Sequence, residues 1–399
     1  MQRGEFIKTL WSSSLLWVAP SLSVFAKSKA GDPSCIREPK VDIQKYVNPD
    51  TKPFSKRLKI LVLGGTNFFG PPLVQYALER GHDVTLLNRK ITNPYLFPGV
   101  KRLQADRLSE TGNPYEQAAM QQWDVVIDTW QGNPLAVQES VDALKRNTRH
   151  YIYISSIAVY DSSHYRQPTI YEGDEYVAKE AMPTSRKAEM NSYRLRKQLA
   201  DAYVRTAMAG NATSIRCHAI HGIYEETPCP GNRYWPVRFQ RGGDIICPGD
   251  GQDYFQLVHV QDAAYFTIHC AEQGHKGIFH AANQFSTMEY MLACKAMSTA
   301  NSKIHWVGAK ELSDAGIRIF TDMPHYVPRG LDPGFNNHDT QRAVSHGIKH
   351  RSLIDVFKDD LEGFRLNYCS DYEFGSTDCP YGLSRAKEQE ALKKLGRIS

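Results

Sequence analysis

The 399-residue sequence lacks the motifs that mark several classes of enzyme. It has no HExxH, no GxxxxGK[ST] phosphate loop and no GxSxG turn, so metalloprotease, kinase and hydrolase functions have no support. Its eight cysteines show no CxxC spacing and no cluster with histidine, and we therefore expect no metal site. Only Cys369 and Cys379 are close enough in sequence to suggest a disulfide, and free thiols are the expectation.

The sequence also has little excess of charge of either sign. The formal net charge of +5 is small for this length, and the basic residues are scattered rather than grouped, so we expect no nucleic-acid partner. No internal repeat or low-complexity tract interrupts the chain. A hydrophobic fraction of 41% and a charged fraction of 23% are those of an ordinary globular protein.

Residues 1–26 have the three-part layout of a secretory signal peptide. Arg3 and Lys8 lie within the first eight residues, and an apolar stretch follows them. A small residue, Ala26, then offers a cleavage site. The apolar run is short and contains five serines, so we expect no stable membrane span. The order RGEFIK resembles a twin-arginine signal with Gly4 in place of the second arginine. We predict export, to a periplasm; the alternative is an amphipathic extension on a cytoplasmic protein.

The stretch LVLGGTNFFGPPLV predicts a strand, a tight turn and a helix. Leu58 to Leu63 is an apolar run typical of a strand buried on both faces. Two glycines allow the turn, a third lets the helix pack closely, and the two prolines are tolerated in a first helical turn. Free N–H groups there suit a pyrophosphate. The candidate cofactor-binding residues are Gly64, Gly65, Thr66, Asn67, Phe68, Phe69 and Gly70. Asn67 stands at the middle glycine position, and asparagine tolerates left-handed backbone angles.

The end of the next strand predicts which dinucleotide is bound. That strand, 82–87, runs into Asn88, Arg89 and Lys90. A carboxylate there would bind the ribose hydroxyl of NAD, whereas two cations favour the extra phosphate of NADP. We therefore expect NADP or NAD, with NADP favoured; the alternative is that both cations are solvated loop charges. Asp106 and Asp128, at the ends of two later strands, are further cofactor candidates.

Strands that alternate with helices predict an α/β protein with a doubly wound parallel sheet, a Rossmann fold. The expected strands are 58–63, 82–87, 100–105, 123–128 and 151–156. We expect a linker over 27–56, a dinucleotide-binding domain over 57–220, and a smaller substrate-binding lobe with C-terminal helices over 221–399.

At YIYISSIAVYD the chain resembles the extended short-chain dehydrogenase/reductase family, also described as NAD-dependent epimerase/dehydratase. The resemblance covers nearly everything after residue 57 and rests on an ordered set of motifs, among them GGTNFFG, WDVVIDT, ISSIAVY, YRLRK and LVHVQDAA. It is greatest with a branch whose turn reads GGTxFxG, in which the middle glycine is regularly missing. The resemblance implies hydride transfer between a nicotinamide and a sugar or sugar derivative, as an oxidoreductase or an epimerase.

The resemblance assigns Ser156, Tyr193 and Lys197 to the chemistry. Tyr193 and Lys197 are four residues apart and share one helix face, and an ammonium near a phenol favours the phenolate. Tyrosine can then exchange a proton with an alcohol or carbonyl. Lys197 would also hold the nicotinamide ribose, and Ser156 the substrate oxygen. The separation of 37 positions between Ser156 and Tyr193 implies an inserted loop near the site.

The sequence gives fewer signals for the substrate site than for the cofactor site. Arg216, Arg233, Trp235 and Arg238 are candidates to line a site for a sugar or phosphate, with surface packing as the alternative. Cys217, His218 and His221 stand where most extended relatives have a proline and an asparagine contact, which argues against a nucleotide-sugar. The competing function is a non-catalytic relative that binds NAD(P) or RNA, as some chloroplast relatives bind RNA. We expect a small-molecule partner, and a homodimer is a further possibility.

Overall fold

A computed structural model describes residues 35–399 except 177, 179, 226–228 and 378. The predicted signal segment, residues 1–26, lies outside the described residues. Within the described part, no helix is long and apolar enough to cross a membrane.

The main sheet contains every strand that the sequence predicted. Its strands are β1 (Lys59–Leu63), β2 (Asp83–Asn88), β3 (Lys101–Gln104), β4 (Trp123–Asp128), β5 (Thr148–Ser156), β6 (Ala212–Cys217) and β10 (Gly277–Ala281). Among the described residues they form one seven-stranded parallel sheet in the order β10-β6-β5-β4-β1-β2-β3. The order reverses at β1, which pairs with β2 on one side and β4 on the other. Ligands of such sheets bind in the crevice outside the carboxyl ends of the strands at this reversal.

Helices cover both faces of the main sheet, as a doubly wound fold requires. They are α1 (Gly70–Glu79), α2 (Glu116–Ala119), α3 (Leu135–Leu144), α5 (Tyr193–Ala207) and α7 (Val260–Gln273). The short helix α4 (Ser162–Tyr165), after β5, belongs to a separate apolar cluster. Leu73 of α1 and Phe266 of α7 belong to the apolar core on one face of the sheet. Val141 of α3 and Val204 of α5 belong to the core on the other face. The helix predicted after the glycine turn therefore exists, and two prolines occupy its first turn.

A smaller lobe follows β6. Its strands are β7 (Ile220–His221), β8 (Gly243–Pro248), β9 (Tyr254–His259), β11 (Asn283–Ser286), β12 (Ser302–Val307), β13 (Ile319–Phe320) and β14 (Met323–Pro324). Its helices are α6 (Tyr234–Gln240), α8 (Thr287–Ala296), α9 (Ala309–Asp314), α11 (Leu353–Asn367) and α12 (Arg385–Lys394). The helix α10 (Gln341–Ser345) instead packs against β10 of the main sheet. The chain crosses between the two parts more than once, because α7 and β10 return to the main sheet.

Two disulfides are present in the described part of the chain, where free thiols were expected. Cys35 pairs with Cys369, and Cys229 pairs with Cys379. The suggested bridge between Cys369 and Cys379 is therefore wrong. The true partners are 334 and 150 positions apart, so only the tertiary structure brings them together. The four cysteines that remain free are buried: Cys217, Cys247, Cys270 and Cys294.

Candidate active site

The glycine turn follows β1 and lies at the reversal of the strand order. Gly64 and Gly65 have φ angles of +115° and +95°, which favour glycine. A Cβ atom on Gly70 would lie 2.4 Å from the backbone carbonyl carbon of Gly65. The turn therefore brings the first turn of α1 against the end of β1, and its backbone N–H groups fit a pyrophosphate.

The non-glycine residue with a positive φ in this turn is Phe68, at +33°, and not Asn67. The expectation that Asn67 supplies a left-handed conformation is therefore wrong. Its backbone carbonyl instead accepts a hydrogen bond from the N–H of Gly70 at 2.8 Å. The side-chain Oδ1 of Asn67 is buried without a hydrogen-bond partner, so it could accept one from a hydroxyl or amide of a bound nucleotide. Thr66 and Phe69 are buried beside it.

Asn88 connects the end of β2 to the glycine turn. Its side-chain amide donates to the carbonyl of Gly64 at 2.8 Å, and its Oδ1 accepts from the N–H of Lys90 at 3.0 Å. Arg89 and Lys90 then point their charges toward solvent, since both residues are exposed. The two cations follow the strand end where an adenosine ribose lies in such folds, and their role in cofactor choice stays a prediction.

The two aspartates predicted for the cofactor site have different surroundings. Asp106 is exposed after β3, and its Oδ1 accepts from the N–H of Leu108 at 2.9 Å. Asp128 is fully buried, and both of its oxygens accept from the Arg107 guanidinium at 2.7 Å. Tyr151 adds a further hydrogen bond at 2.8 Å. The structure therefore contradicts a direct cofactor contact for Asp128, because its carboxylate is used by internal partners.

The structure brings the three predicted catalytic residues together. Ser156 ends β5, and its side chain is hydrogen-bonded to Tyr193, the first residue of α5. Lys197 follows one helical turn later, with its Nζ 6.0 Å from the centre of the Tyr193 ring. That Nζ donates to the backbone carbonyls of Trp130 and Ile154 at 3.0 and 2.8 Å. The ends of β4 and β5 therefore hold the lysine beside the crevice.

Burial governs the ionisation of this group. It raises the pKa of Tyr193 to about 12, against the opposing effects of the Ser156 hydrogen bond and the Arg196 charge. Burial likewise lowers the pKa of Lys197 to about 8. At neutral pH the phenol is therefore protonated and the lysine is mostly charged. The phenol is ready to donate a proton.

Arg196 is a part of the site that the sequence analysis missed. Its guanidinium carbon lies 5.6 Å from the centre of the Tyr193 ring, and its charge opposes the rise in the pKa of Tyr193. The expected electrostatic effect of Lys197 on the phenol is thus supplied by Arg196 in this arrangement. The signal was available in YRLRK, because residues three apart on a helix are neighbours.

Cys217 and His218 follow the same edge of the sheet at the end of β6. Burial raises the pKa of Cys217 to about 12 and lowers the pKa of His218 to about 4. Both side chains are therefore neutral at neutral pH. His221 differs, since its Nδ1 lies 2.7 Å from a carboxylate oxygen of Asp360 on α11.

The four predicted substrate residues are buried and used internally, which contradicts their assignment to a substrate site. Arg216 pairs with Asp201 at 2.9 Å, Arg233 donates to the carbonyl of Gly222 at 2.9 Å, Trp235 donates to that of Pro324 at 3.0 Å, and Arg238 pairs with Glu388 at 2.8 Å. Cations and an aromatic in a loop-rich stretch suggested a binding face. The partners of Trp235 and Arg238 are 89 and 150 positions away, and those of Arg216 and Arg233 lie in other segments, so the pairings could not be read from the sequence.

The doubly wound sheet, the glycine turn and the Ser–Tyr–Lys group are the features of an extended short-chain dehydrogenase/reductase. Within that class, the model of the NAD dependent epimerase/dehydratase family matches residues 60–282, more than half of the chain. The protein belongs to this family.

Individual relatives are distant. Over 263 residues the chain is 22% identical to the bovine epimerase family protein SDR39U1 (Bos taurus). The matched stretch covers 61% of this chain and 80% of the relative. Over 297 residues it is 25% identical to the chloroplast stem-loop binding protein of 41 kDa b of Arabidopsis thaliana, covering 70% and 69%.

Solved structures confirm the fold. MoeE5 in complex with UDP-glucose and NAD superposes with a TM-score of 0.52 at 17% identity, covering 77% of this chain and 98% of that one. The UDP-glucuronic acid 4-epimerase of Bacillus cereus in complex with NAD gives a TM-score of 0.53 at 14% identity, covering 81% and 100%.

Proposed function

We propose that the protein is a dinucleotide-dependent oxidoreductase or epimerase that acts on a sugar or sugar derivative. The observation that carries this proposal is the hydrogen-bonded pair of Ser156 and Tyr193, with Lys197 on the same helix and edge of the sheet. Two fold neighbours, MoeE5 and the Bacillus cereus epimerase, were solved with NAD, and MoeE5 also holds UDP-glucose. These neighbours support the class of reaction and of substrate.

The chain's own residues divide the work as follows. The N–H groups of residues 65–69 would hold the pyrophosphate, and the Lys197 ammonium would hold the nicotinamide ribose. When bound, the dinucleotide supplies the hydride acceptor or donor. Ser156 holds the substrate oxygen, and Tyr193 exchanges a proton with that oxygen as general acid or base. The neutral side chains of Cys217 and His218 leave no added charge beside the reacting oxygen.

A screen of sugars and keto-sugars tests this function. Purified protein with NAD or NADP, oxidised or reduced, is followed by nicotinamide absorbance, and epimerisation is followed by chromatography of the products. We expect turnover of at least one substrate class. If dinucleotide binds and no sugar, keto-sugar or UDP-sugar turns over, the second candidate is favoured. That candidate is a non-catalytic binding protein, and the stem-loop binding relative at 25% identity is the observation in its favour.

Arg89→Asp is expected to shift cofactor preference from NADP toward NAD. The substitution removes a cation that would pair with the 2′-phosphate and supplies the carboxylate that would bind the 2′-hydroxyl. Affinities of the wild type and the variant for both dinucleotides, measured by titration, check this expectation. Equal affinities of the two dinucleotides in both proteins would show that Arg89 is a solvated loop charge.

We also propose that the protein is exported. The support is the pair of disulfides, because such bonds persist mainly in oxidising compartments, together with the signal-like residues 1–26. N-terminal sequencing of protein from its native source should find a mature chain that begins near Lys27. An intact Met1 on protein from the cytoplasm would overturn this proposal.

A further inference from the structure

The cofactor crevice has two walls that meet at their base. One wall is the glycine turn, and the other is the loop 129–133, which follows β4 and which we call the crevice loop. Thr129 donates its hydroxyl to the carbonyl of Leu63 at 3.0 Å. A Cβ atom on Gly64 would lie 2.5 Å from that hydroxyl oxygen. The crevice loop thus lies directly against the glycine turn at the carboxyl ends of β1 and β4.

Helix α5 holds the crevice loop from the catalytic side. The carbonyl of Trp130 accepts hydrogen bonds from Lys197 and from the Tyr153 hydroxyl, both at 3.0 Å. The next carbonyl, that of Gln131, accepts from the Nε of Arg196 at 3.0 Å. The position of the crevice loop is thus tied to the helix that carries the catalytic residues.

The loop inserted between β5 and α5 holds the crevice loop from outside. The Asn133 amide nitrogen lies 2.9 Å from the carbonyl oxygen of Ser185, 3.2 Å from that of Arg186 and 3.1 Å from that of Ala188. The Asn133 Oδ1 meanwhile accepts from the N–H of Leu135 at the start of α3, at 2.9 Å. One side chain therefore joins the inserted loop, the crevice loop and the following helix.

Two arginines complete these attachments. Arg196, besides its bond to the crevice loop, donates to the carbonyl of Met190 in the inserted loop. Arg186 pairs with Glu139 on α3 at 2.8 Å and donates to the carbonyl of Gly112 at 3.3 Å, in the loop after β3. Residues 185–190 thus span the outside of the crevice from the adenosine side to the catalytic helix.

We propose that residues 185–190 brace the crevice loop, and that this brace makes dissociation of the bound dinucleotide slow. The inference rests on the proposed function, because it needs a dinucleotide in the crevice. Release requires the crevice loop to move, and each attachment adds to the cost of that movement. Most differences in affinity among variants of one site arise in the dissociation rate.

Asn133→Asp tests the brace. The aspartate keeps an acceptor for the N–H of Leu135, but it loses the amide hydrogens and sets a carboxylate against three carbonyls. Dissociation of reduced dinucleotide is followed by its fluorescence after addition of excess oxidised dinucleotide. We expect release about tenfold faster or more, since the loss of shared hydrogen bonds of this kind is typically worth about one such factor.

Lys187→Ala is the matched control. It lies in the same segment, and its side chain pairs with Glu110 on the surface, where the two side chains are 69% and 50% exposed and an ion pair adds little to stability. We expect an unchanged dissociation rate. Arg196→Lys is the second test variant: it keeps the charge, loses the fork that joins Gln131 to Met190, and should also release dinucleotide faster.

The possible results distinguish a failure of the proposed function from a failure of the brace. If wild-type protein binds neither NAD nor NADP, the proposed function fails. If it binds one of them and Asn133→Asp and Arg196→Lys release it at the wild-type rate, the brace is refuted and the function stands. Thermal melting without nucleotide accompanies each variant, and a folded Asn133→Asp with faster release supports the brace.

Discussion

Tyr193→Phe should lower turnover by roughly 100- to 10,000-fold, the usual contribution of a general acid or base. The substitution removes only the hydroxyl that is hydrogen-bonded to Ser156, and it leaves the ring and the glycine turn in place. Bound dinucleotide should therefore persist at wild-type affinity. Stopped-flow or steady-state rates on the best substrate of the sugar screen, with a parallel titration of dinucleotide, measure both effects.

Two variants show whether the loss is specific to the phenol. Ser156→Ala should keep the cofactor and lower the rate less than Tyr193→Phe does. Lys197→Ala should weaken dinucleotide binding as well as the rate, because the ammonium that we propose for the ribose also donates to the crevice loop. Wild-type turnover by Tyr193→Phe on any substrate would refute the assignment of the phenol as acid and base.

Asp128→Ala should lower the free energy of unfolding by roughly 3–5 kcal/mol, the usual cost of leaving one partner of a buried ion pair uncompensated. Arg107 is only 5% exposed, and each carboxylate oxygen of Asp128 accepts a hydrogen bond of 2.7 Å from its guanidinium. Urea denaturation followed by circular dichroism measures the change.

Two further variants show whether the loss of stability is specific to the buried ion pair. Asp314→Ala breaks a pair with Lys310 in which the aspartate and lysine side chains are 59% and 88% exposed, and it should leave the free energy of unfolding almost unchanged. Adding Arg107→Met to Asp128→Ala should recover part of the loss, because the uncompensated charge is then gone. A cost for Asp128→Ala as small as that for Asp314→Ala would show that the buried pair does not support the sheet.

The parts of the fold that the sequence predicted are those fixed by local pattern. An apolar run followed by Gly64, Gly65 and Gly70 gives the strand, the turn and the helix, because backbone conformation and close packing there depend on neighbours in sequence. The Ser–Tyr–Lys group was assigned through the resemblance to the family, and its three positions could be matched because their motifs are local. Each of its members lies at the end of a recognisable strand or on the face of one helix.

The site assignments that proved wrong concern residues whose burial and partners are set by contacts between separate segments of the chain. Arg216 and Arg238 are buried and paired with Asp201 and Glu388, which lie on other elements, 15 and 150 positions away. Charge alone suggested exposure and a ligand. The disulfides and the attachment of Asn133 to residues 185–188 have the same origin, since they join segments that only the completed fold brings together.

Transfer of deuterium is the most direct test of the proposed chemistry. The full chain is incubated with dinucleotide deuterated at the hydride position and with a panel of keto-sugars, and the products are analysed by mass spectrometry. We expect deuterium on the new carbinol carbon of at least one product with wild-type protein, and incorporation roughly 100- to 10,000-fold slower with Tyr193→Phe at equal cofactor occupancy. Bound dinucleotide without deuterium transfer to any sugar in the panel would contradict this expectation.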